Sequence, residues 1–313
     1  MSIVLAFAAL ALLVLPALAW RVGRRLAPHE WARVAVGCLV AGAVGLEVAF
    51  VLLGAPTVLR AIGVRELAAG CERTVGNLSP GGPALGWLAT ACALAVPLLV
   101  GRGTWRAVRA RRGLYIEPEL GTHEPFSSCE LVVLPTERLL AMTVPGDTAQ
   151  IVVSQGLIES LPGEALFAVL CHEETHAVCH HDRHMLVAAA IDAGFGRIPL
   201  IRRSTAVLRL ALERWADEDA AAVCSAGRTQ VHDALTRVGG ALMTAPAVAA
   251  FSTEATLAER LDAIASPPPC PTPTQRLLVY CNAAALASVA AVGLGLWLSE
   301  ARMMLAMSGL CRV

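Results

Sequence analysis

Four apolar segments, each about as long as a membrane-spanning helix, constrain the fold of this chain more than any other feature. They cover residues 2–20, 34–54, 84–100 and 277–299, and Glu47 is the only charged residue in them. A helix needs about 20 apolar residues to cross the hydrocarbon core of a bilayer. We therefore expect a predominantly α-helical membrane protein with four transmembrane helices.

Aromatic and basic residues indicate the ends and the orientation of these spans. Arginine is dense in 21–33 and directly after residue 100, whereas glutamate offsets it between 55 and 83. Because basic loops stay in the cytoplasm, this pattern predicts a multi-pass protein of the cell membrane with both termini extracytoplasmic. A cleaved signal peptide ending at residue 19 is the alternative for the first segment, although it lacks a basic start. Five of the six tryptophans lie at or just beyond segment ends, where indole rings favour the membrane interface: Trp20, Trp31, Trp87, Trp105 and Trp297.

The spans divide the chain into three parts. Residues 1–100 would hold three transmembrane helices, residues 101–276 a cytoplasmic domain, and residues 277–313 the fourth helix and a short tail. Within the middle part, proline and glycine separate short β-rich runs that precede long helical patterns; the runs are residues 131–134, 139–144 and 151–154. We expect an α+β domain inserted between spans three and four.

The composition excludes several classes of function. All 25 basic residues are arginine, which excludes any mechanism that needs a lysine, and 25 acidic residues balance them. A balanced charge lacks the basic footprint of a nucleic-acid-binding protein, so no direct contact with nucleic acid is expected. The ten cysteines form no C-x-x-C pair, so neither a zinc ribbon nor a disulfide framework is indicated.

The clearest chemical signal is an H-E-x-x-H sequence at residues 172–176. It lies within residues 164–193, which contain no proline or glycine and are predicted to form one helix. On a helix, His172 and His176 lie on one face and can bind one zinc ion, while Glu173 is placed to act as general base. For a chain of this composition, roughly 0.01 such matches are expected by chance.

A catalytic zinc ion needs a third protein ligand besides the two histidines. Glu213 and Asp217 are four residues apart on a second predicted helix and share one face of it. We predict Glu213 as the third ligand and Asp217 as the hydrogen-bond acceptor that orients a ligating histidine. Glu218 or Asp219 is the alternative ligand, in which case Glu213 lies on a solvated face.

Some residues near the motif have roles that the sequence leaves open. Arg260 and His232 are candidate donors to the oxyanion formed during peptide hydrolysis, and a structural ion pair is the alternative role of Arg260. Three further histidines follow the motif and are expected either to face outward or to support the ligands: His180, His181 and His184.

Three elements of residues 120–264 resemble the M56 peptidases, the family of membrane antirepressors that sense β-lactams, and more distantly the M48 peptidases. They are the stretch 144–184 around H-E-x-x-H, the E-x-x-A-D element at 213–217, and the E-R-L-x-x-I element at 259–264. The resemblance implies a zincin-like (gluzincin) domain with Glu173 as general base. It implies the same three zinc ligands as the spacing: His172, His176 and Glu213.

The sequence therefore predicts an integral-membrane zinc endopeptidase that cleaves a cytoplasmic protein or peptide in regulated proteolysis of a repressor. The resemblance implies a winged-helix repressor of the BlaI type as partner, besides membrane lipids, and a homodimer is among the assemblies left open. Without lysine the chain lacks the Ser-x-x-Lys site at which sensing members of the family are acylated, so antibiotic sensing is not expected. Two other classes stay open, namely an intramembrane protease and a catalytically weak receptor or scaffold with a zinc site.

Overall fold

The computed structural model describes residues 2–66, 68–70, 82–112, 121–242, 254–266 and 272–277, with single positions between 280 and 302. These residues are mostly helical, and the strands form one small sheet. Most of the fourth apolar segment and the tail that follows it lie outside the described residues. The predominantly helical class expected from the sequence is confirmed at this coarse level.

The first three apolar segments form helices. They are α1 (Ser2–Leu18), the short α2 (Trp20–Gly23), α3 (Pro28–Ala61) and α4 (Gly82–Arg112). Pro28 begins α3, where the missing N–H of proline leaves no hydrogen bond unmade. Among the residues described, α3 and α4 are long and apolar enough to cross a membrane, whereas α1 is apolar but shorter.

A four-stranded sheet follows, with the order β1-β2-β4-β3. The strands are β1 (Thr122–Phe126), β2 (Cys129–Leu134), β3 (Ala141–Val144) and β4 (Gln150–Ser154). β2 and β4 are parallel, whereas β1 and β3 run antiparallel to their neighbours, so β3 forms an edge of the sheet. The last three strands lie at the predicted β-rich runs, whereas β1 has a polar sequence with a proline and was not predicted.

The remaining described helices are α5 (Gln155–Ser160), α6 (Gly163–Val178), α7 (His181–Phe195), α8 (Pro199–Val223), α9 (Arg228–Leu242) and α10 (Glu254–Ala265). The prediction of a single helix over 164–193 was wrong, because the helix is interrupted at residues 179–180, between α6 and α7. His180 adopts a left-handed backbone conformation there, with φ of 52°. Since this region has neither glycine nor proline, its sequence does not indicate the break.

Two apolar cores position the helices that carry the H-E-x-x-H and E-x-x-A-D elements. One core joins α5, α6 and α8 to α9 and α10, and includes Leu157, Ala168 and Ala220. The other is shared by α1 and α3 with α7 and α8, and includes Leu13, Trp31 and the α8 residue Leu208. α8 therefore packs against the apolar N-terminal helices along one side and against α6 along the other.

Candidate metal centre

His172, His176 and Glu213 converge on one point between α6 and α8. The two histidine Nε2 atoms are 3.1 Å apart, and the Glu213 carboxylate oxygens lie 3.6 Å and 3.7 Å from them. One ligand atom from each side chain falls within 4.8 Å of the others. Four ligands at 2.0–2.1 Å from a tetrahedral zinc ion are about 3.3–3.4 Å apart, and the distances between the three side chains are close to that spacing.

Asp217 supports His172 from the side opposite to this point. Its Oδ1 lies 3.0 Å from the Nδ1 of His172, in an ion-pair contact that is bent away from an in-line hydrogen bond. The Asp217 side chain is only 3% exposed. Burial opposes protonation of His172, but the Asp217 and Glu213 carboxylates outweigh it and raise the pKa of His172 to about 9.

Arg260, from α10, holds both carboxylates in place. Its Nε and Nη2 donate to Asp217 at 2.9 Å and 2.7 Å, and its Nη1 lies 2.9 Å from Glu213. Burial raises the pKa of both carboxyls, but the Arg260 charge and the contacts with His172 together outweigh it and hold both pKa values below their usual range. Arg260 therefore forms the structural ion pair that was the alternative to its role as an oxyanion donor.

His176 is supported by a third histidine. The Nδ1 of His176 lies 3.0 Å from the Nδ1 of His181, which begins α7 and is 1% exposed. Burial lowers the pKa of His176, and burial together with the neighbouring histidines lowers that of His181 to about 3. The sequence left the role of His181 open, and the left-handed turn at His180 is what directs it toward the site.

Thr143, on the edge strand β3, contacts the predicted general base. Its hydroxyl lies 2.8 Å from Oε2 of Glu173 and 2.7 Å from the backbone oxygen of the same residue. A hydroxyl has one proton, so it donates to one of these acceptors at a time. No pattern in the sequence pointed to Thr143, because it lies 30 positions before Glu173 and belongs to a different element.

The contacts of the His172 and His176 rings are compatible with a cation between them. Each Nδ1 has a partner on its outer side, Asp217 for His172 and His181 for His176. A neutral ring that donates from Nδ1 presents a lone pair at Nε2. The two Nε2 atoms are 3.1 Å apart, a distance at which either a proton shared in a hydrogen bond or a metal cation relieves the repulsion of their lone pairs. Two imidazoles and one carboxylate are a ligand set that zinc accepts in hydrolytic enzymes.

The alternative ligand candidates lie elsewhere. Glu218 forms an ion pair with Arg228, and Asp219 accepts a hydrogen bond of 2.9 Å from the indole nitrogen of Trp215. His232, which the sequence offered as an oxyanion donor and not as a ligand, is exposed on α9. Among the described residues, the three that could hold a metal ion together are therefore the predicted ones, and their roles as ligands stay a prediction.

A cavity of about 240 Å³ opens beside the cluster. The turn after β1, the turn between β3 and β4, and the end of α6 form its walls. Thr143 and His176 lie in its lining, together with polar side chains such as Ser128 and Thr148. This space is large enough for one side chain of a bound peptide.

Comparison with known proteins gives no family for this chain. No family model matches it, and neither a curated protein nor a solved structure is significantly similar to it. The likeness to M56 peptidases therefore depends on the three sequence elements at 144–184, 213–217 and 259–264, and on the chemistry of the residues in them.

Proposed function

We propose that this chain is an integral-membrane zinc endopeptidase of the M56 kind that hydrolyses a cytoplasmic protein. The observation that carries the proposal is the convergence of His172, His176 and Glu213 at zinc-ligand spacing. Glu173 adds the general base that hydrolysis needs, and a site that binds zinc only for stability has no use for it. This residue favours the enzyme over a receptor or scaffold.

The chemistry divides between the metal and the protein. Zinc, when bound, would polarise the peptide carbonyl and lower the pKa of the attacking water. Glu173 accepts the proton of that water and passes it to the leaving amine. Thr143 keeps the carboxylate of Glu173 directed by a hydrogen bond, while Arg260 fixes Glu213 through an ion pair.

The membrane part of the proposal has four spans with the catalytic residues on the cytoplasmic side. Its support is the length and hydropathy of α3 and α4, the apolar α1, and the arginine-rich flanks of these segments. An intramembrane protease is disfavoured, because charged and imidazole side chains crowd residues 180–184 and no uninterrupted apolar run surrounds the motif.

The proposed substrate is a protein of the cytoplasm, and the M56 likeness makes a winged-helix repressor of the BlaI type the first one to test. The edge strand β3 and the polar cavity next to His176 offer room for an extended peptide beside the cluster. Regulated proteolysis of such a repressor would place the chain in signal transduction.

A pair of matched variants tests the proposal. Protein purified in detergent should bind one zinc ion per chain, measured by elemental analysis. Glu173→Gln should retain the zinc and lose cleavage of itself and of a co-expressed repressor, because only the proton acceptor is removed. Glu174→Gln, the adjacent glutamate on the same helix, should retain both. Wild-type protein without zinc, or equal cleavage by Glu173→Gln, would contradict the proposal.

A further inference from the structure

The two candidate ligands differ in what supports them. Behind His172 lies the carboxylate of Asp217, whereas behind His176 lies another imidazole, that of His181, with the two Nδ1 atoms 3.0 Å apart. Ligating histidines in zinc enzymes most often donate their second N–H to a carboxylate, a backbone carbonyl or water. The neutral imidazole partner of His176 therefore needs its own explanation.

The contact between the Nδ1 atoms of His176 and His181 determines which nitrogen of each ring carries the proton. A histidine that binds metal through Nε2 carries its proton on Nδ1, so His176 donates toward His181. His181 must then accept at its Nδ1 and carry its own proton on Nε2. That Nε2 is buried and has no hydrogen-bond partner among the residues described. Only one neutral form of His181 fits the contact, and it leaves the proton on Nε2 without an acceptor among the described residues.

Packing fixes the ring of His181. The indole of Trp215 lies against it, with ring centroids 4.7 Å apart. Trp215 is itself held by the hydrogen bond of 2.9 Å from its Nε1 to Asp219, and by contacts of its ring with His29 and Arg33 of α3. α7 supplies the acceptor, while α8 supplies both its supporting wall and the ligand Glu213. The acceptor is consequently held by the same elements that build the centre.

We propose that His181 is a positioning residue for the zinc ligand His176, accepting the Nδ1 proton of His176 through its own Nδ1 as a neutral ring. This inference rests on the proposed function, since it assigns a role at the same centre. A neutral acceptor orients His176 without adding a negative charge to a cluster that already holds two carboxylates and one guanidinium. It also leaves His176 a weaker electron donor than His172, which Asp217 backs with a full negative charge.

The test compares two substitutions of His181 by zinc affinity. His181→Phe keeps a ring of similar size and removes the acceptor, whereas His181→Asn places an amide oxygen where Nδ1 stood. Zinc dissociation constants are measured by chelator competition on the full chain in detergent. We expect His181→Phe to weaken zinc binding about 10–100-fold, and His181→Asn to remain within about threefold of wild type.

A second histidine of α7 provides the matched control. The Nδ1 of His184 faces the backbone oxygen of His180 at 3.3 Å, so His184→Phe should leave the zinc affinity unchanged. The visible spectrum of the cobalt-substituted protein reports ligand geometry independently of affinity. It should be altered in His181→Phe and restored in His181→Asn.

The outcomes separate this inference from the proposed function. If His181→Phe binds zinc as tightly as wild type, or if His181→Asn is as weak as His181→Phe, the acceptor role is wrong while the zinc centre stands. If wild-type protein binds no zinc, both are overturned. A thermal unfolding scan of the metal-free variants shows whether a loss of zinc affinity comes from misfolding. Where part of a variant is misfolded, the cobalt spectrum of its folded fraction tests the acceptor role of His181.

Discussion

Removal of Arg260 is the perturbation for which the structure gives the clearest magnitude. Its guanidinium makes two hydrogen bonds to Asp217 and one ion pair to Glu213, and Arg260 is 9% exposed. Arg260→Met keeps the length of the side chain and leaves the buried carboxylate of Asp217 and the partly buried carboxylate of Glu213 without their cation. Breaking a buried ion pair by removing one partner costs about 3–5 kcal/mol.

That cost should be visible as a fall in melting temperature. The unfolding entropy of about 2.1 cal/mol/K per residue makes one kcal/mol worth about 1.5 °C in a chain of 313 residues, so we expect a decrease of about 5–8 °C in the metal-free protein. Zinc should recover part of the loss, because a bound cation compensates the charge of Glu213. Melting of the detergent-solubilised protein is followed by circular dichroism with and without zinc.

The control is an arginine whose ion pair is exposed. Arg237 pairs with Asp233 one turn earlier on α9, and both side chains are about half exposed. Arg237→Met should change stability by less than about 1 kcal/mol, since exposed pairs contribute little. In addition, Arg260→Met combined with Asp217→Asn should cost less than the sum of the single changes. If Arg260→Met lowers the melting temperature no more than Arg237→Met, the buried ion-pair network does not stabilise the centre.

Three further predictions concern proton release, helix contact and the general base. Although burial opposes it, the neighbouring carboxylates raise the pKa of His172 to about 9, so the metal-free protein holds a proton there at pH 7. Zinc should release about one proton, measured by calorimetry in buffers of different ionisation enthalpy, and metal-free stability should fall as the pH rises from about 6.5 to 9. A Cβ at Gly103 would collide with the Cβ of Ala193 on α7, whereas one at Gly101 meets nothing within 4 Å. Gly103→Val should therefore destabilise the fold by about 1–3 kcal/mol and Gly101→Val should not, which thermal melting can compare. Thr143→Val removes the hydroxyl that contacts Glu173 and should lower kcat about tenfold with zinc content unchanged, as peptide cleavage and elemental analysis would show; an unchanged kcat would exclude that contact from the reaction.

Local spacing accounts for the part of the site that the sequence could predict. His172 and His176 are one turn apart, as are Glu213 and Asp217, and helix geometry alone places each pair on one face. The convergence of the two pairs depends on how α6 packs against α8, which no spacing within either helix determines. The chemistry of these side chains nevertheless favours the convergence of the two pairs, because buried carboxylates and imidazoles require partners.

The site residues that the sequence did not predict are placed by a helix interruption and by elements distant along the chain. The end of α6 has no glycine or proline, so the left-handed His180 and the resulting direction of His181 left no signal in the sequence. Thr143 reaches Glu173 only because β3 forms the sheet edge beside α6, a consequence of strand order. Strand order and helix packing depend on contacts far apart along the chain, which hydrophobic periodicity does not report.

The core that α8 shares with α1 and α3 determines how this protein can be shortened. Its residues from α8 include Leu208 and Leu212, both fully buried, and the Ser204 hydroxyl accepts a hydrogen bond of 3.2 Å from the backbone of Ala17. A fragment that begins after residue 100 would expose this surface to water and lose that bond. We expect such a fragment to aggregate, whereas co-expression with residues 1–100 should return it to solution. The N-terminal helices thus belong to the same folding unit as the candidate metal centre, and an unrelated anchor would lack the residues that pack against α8.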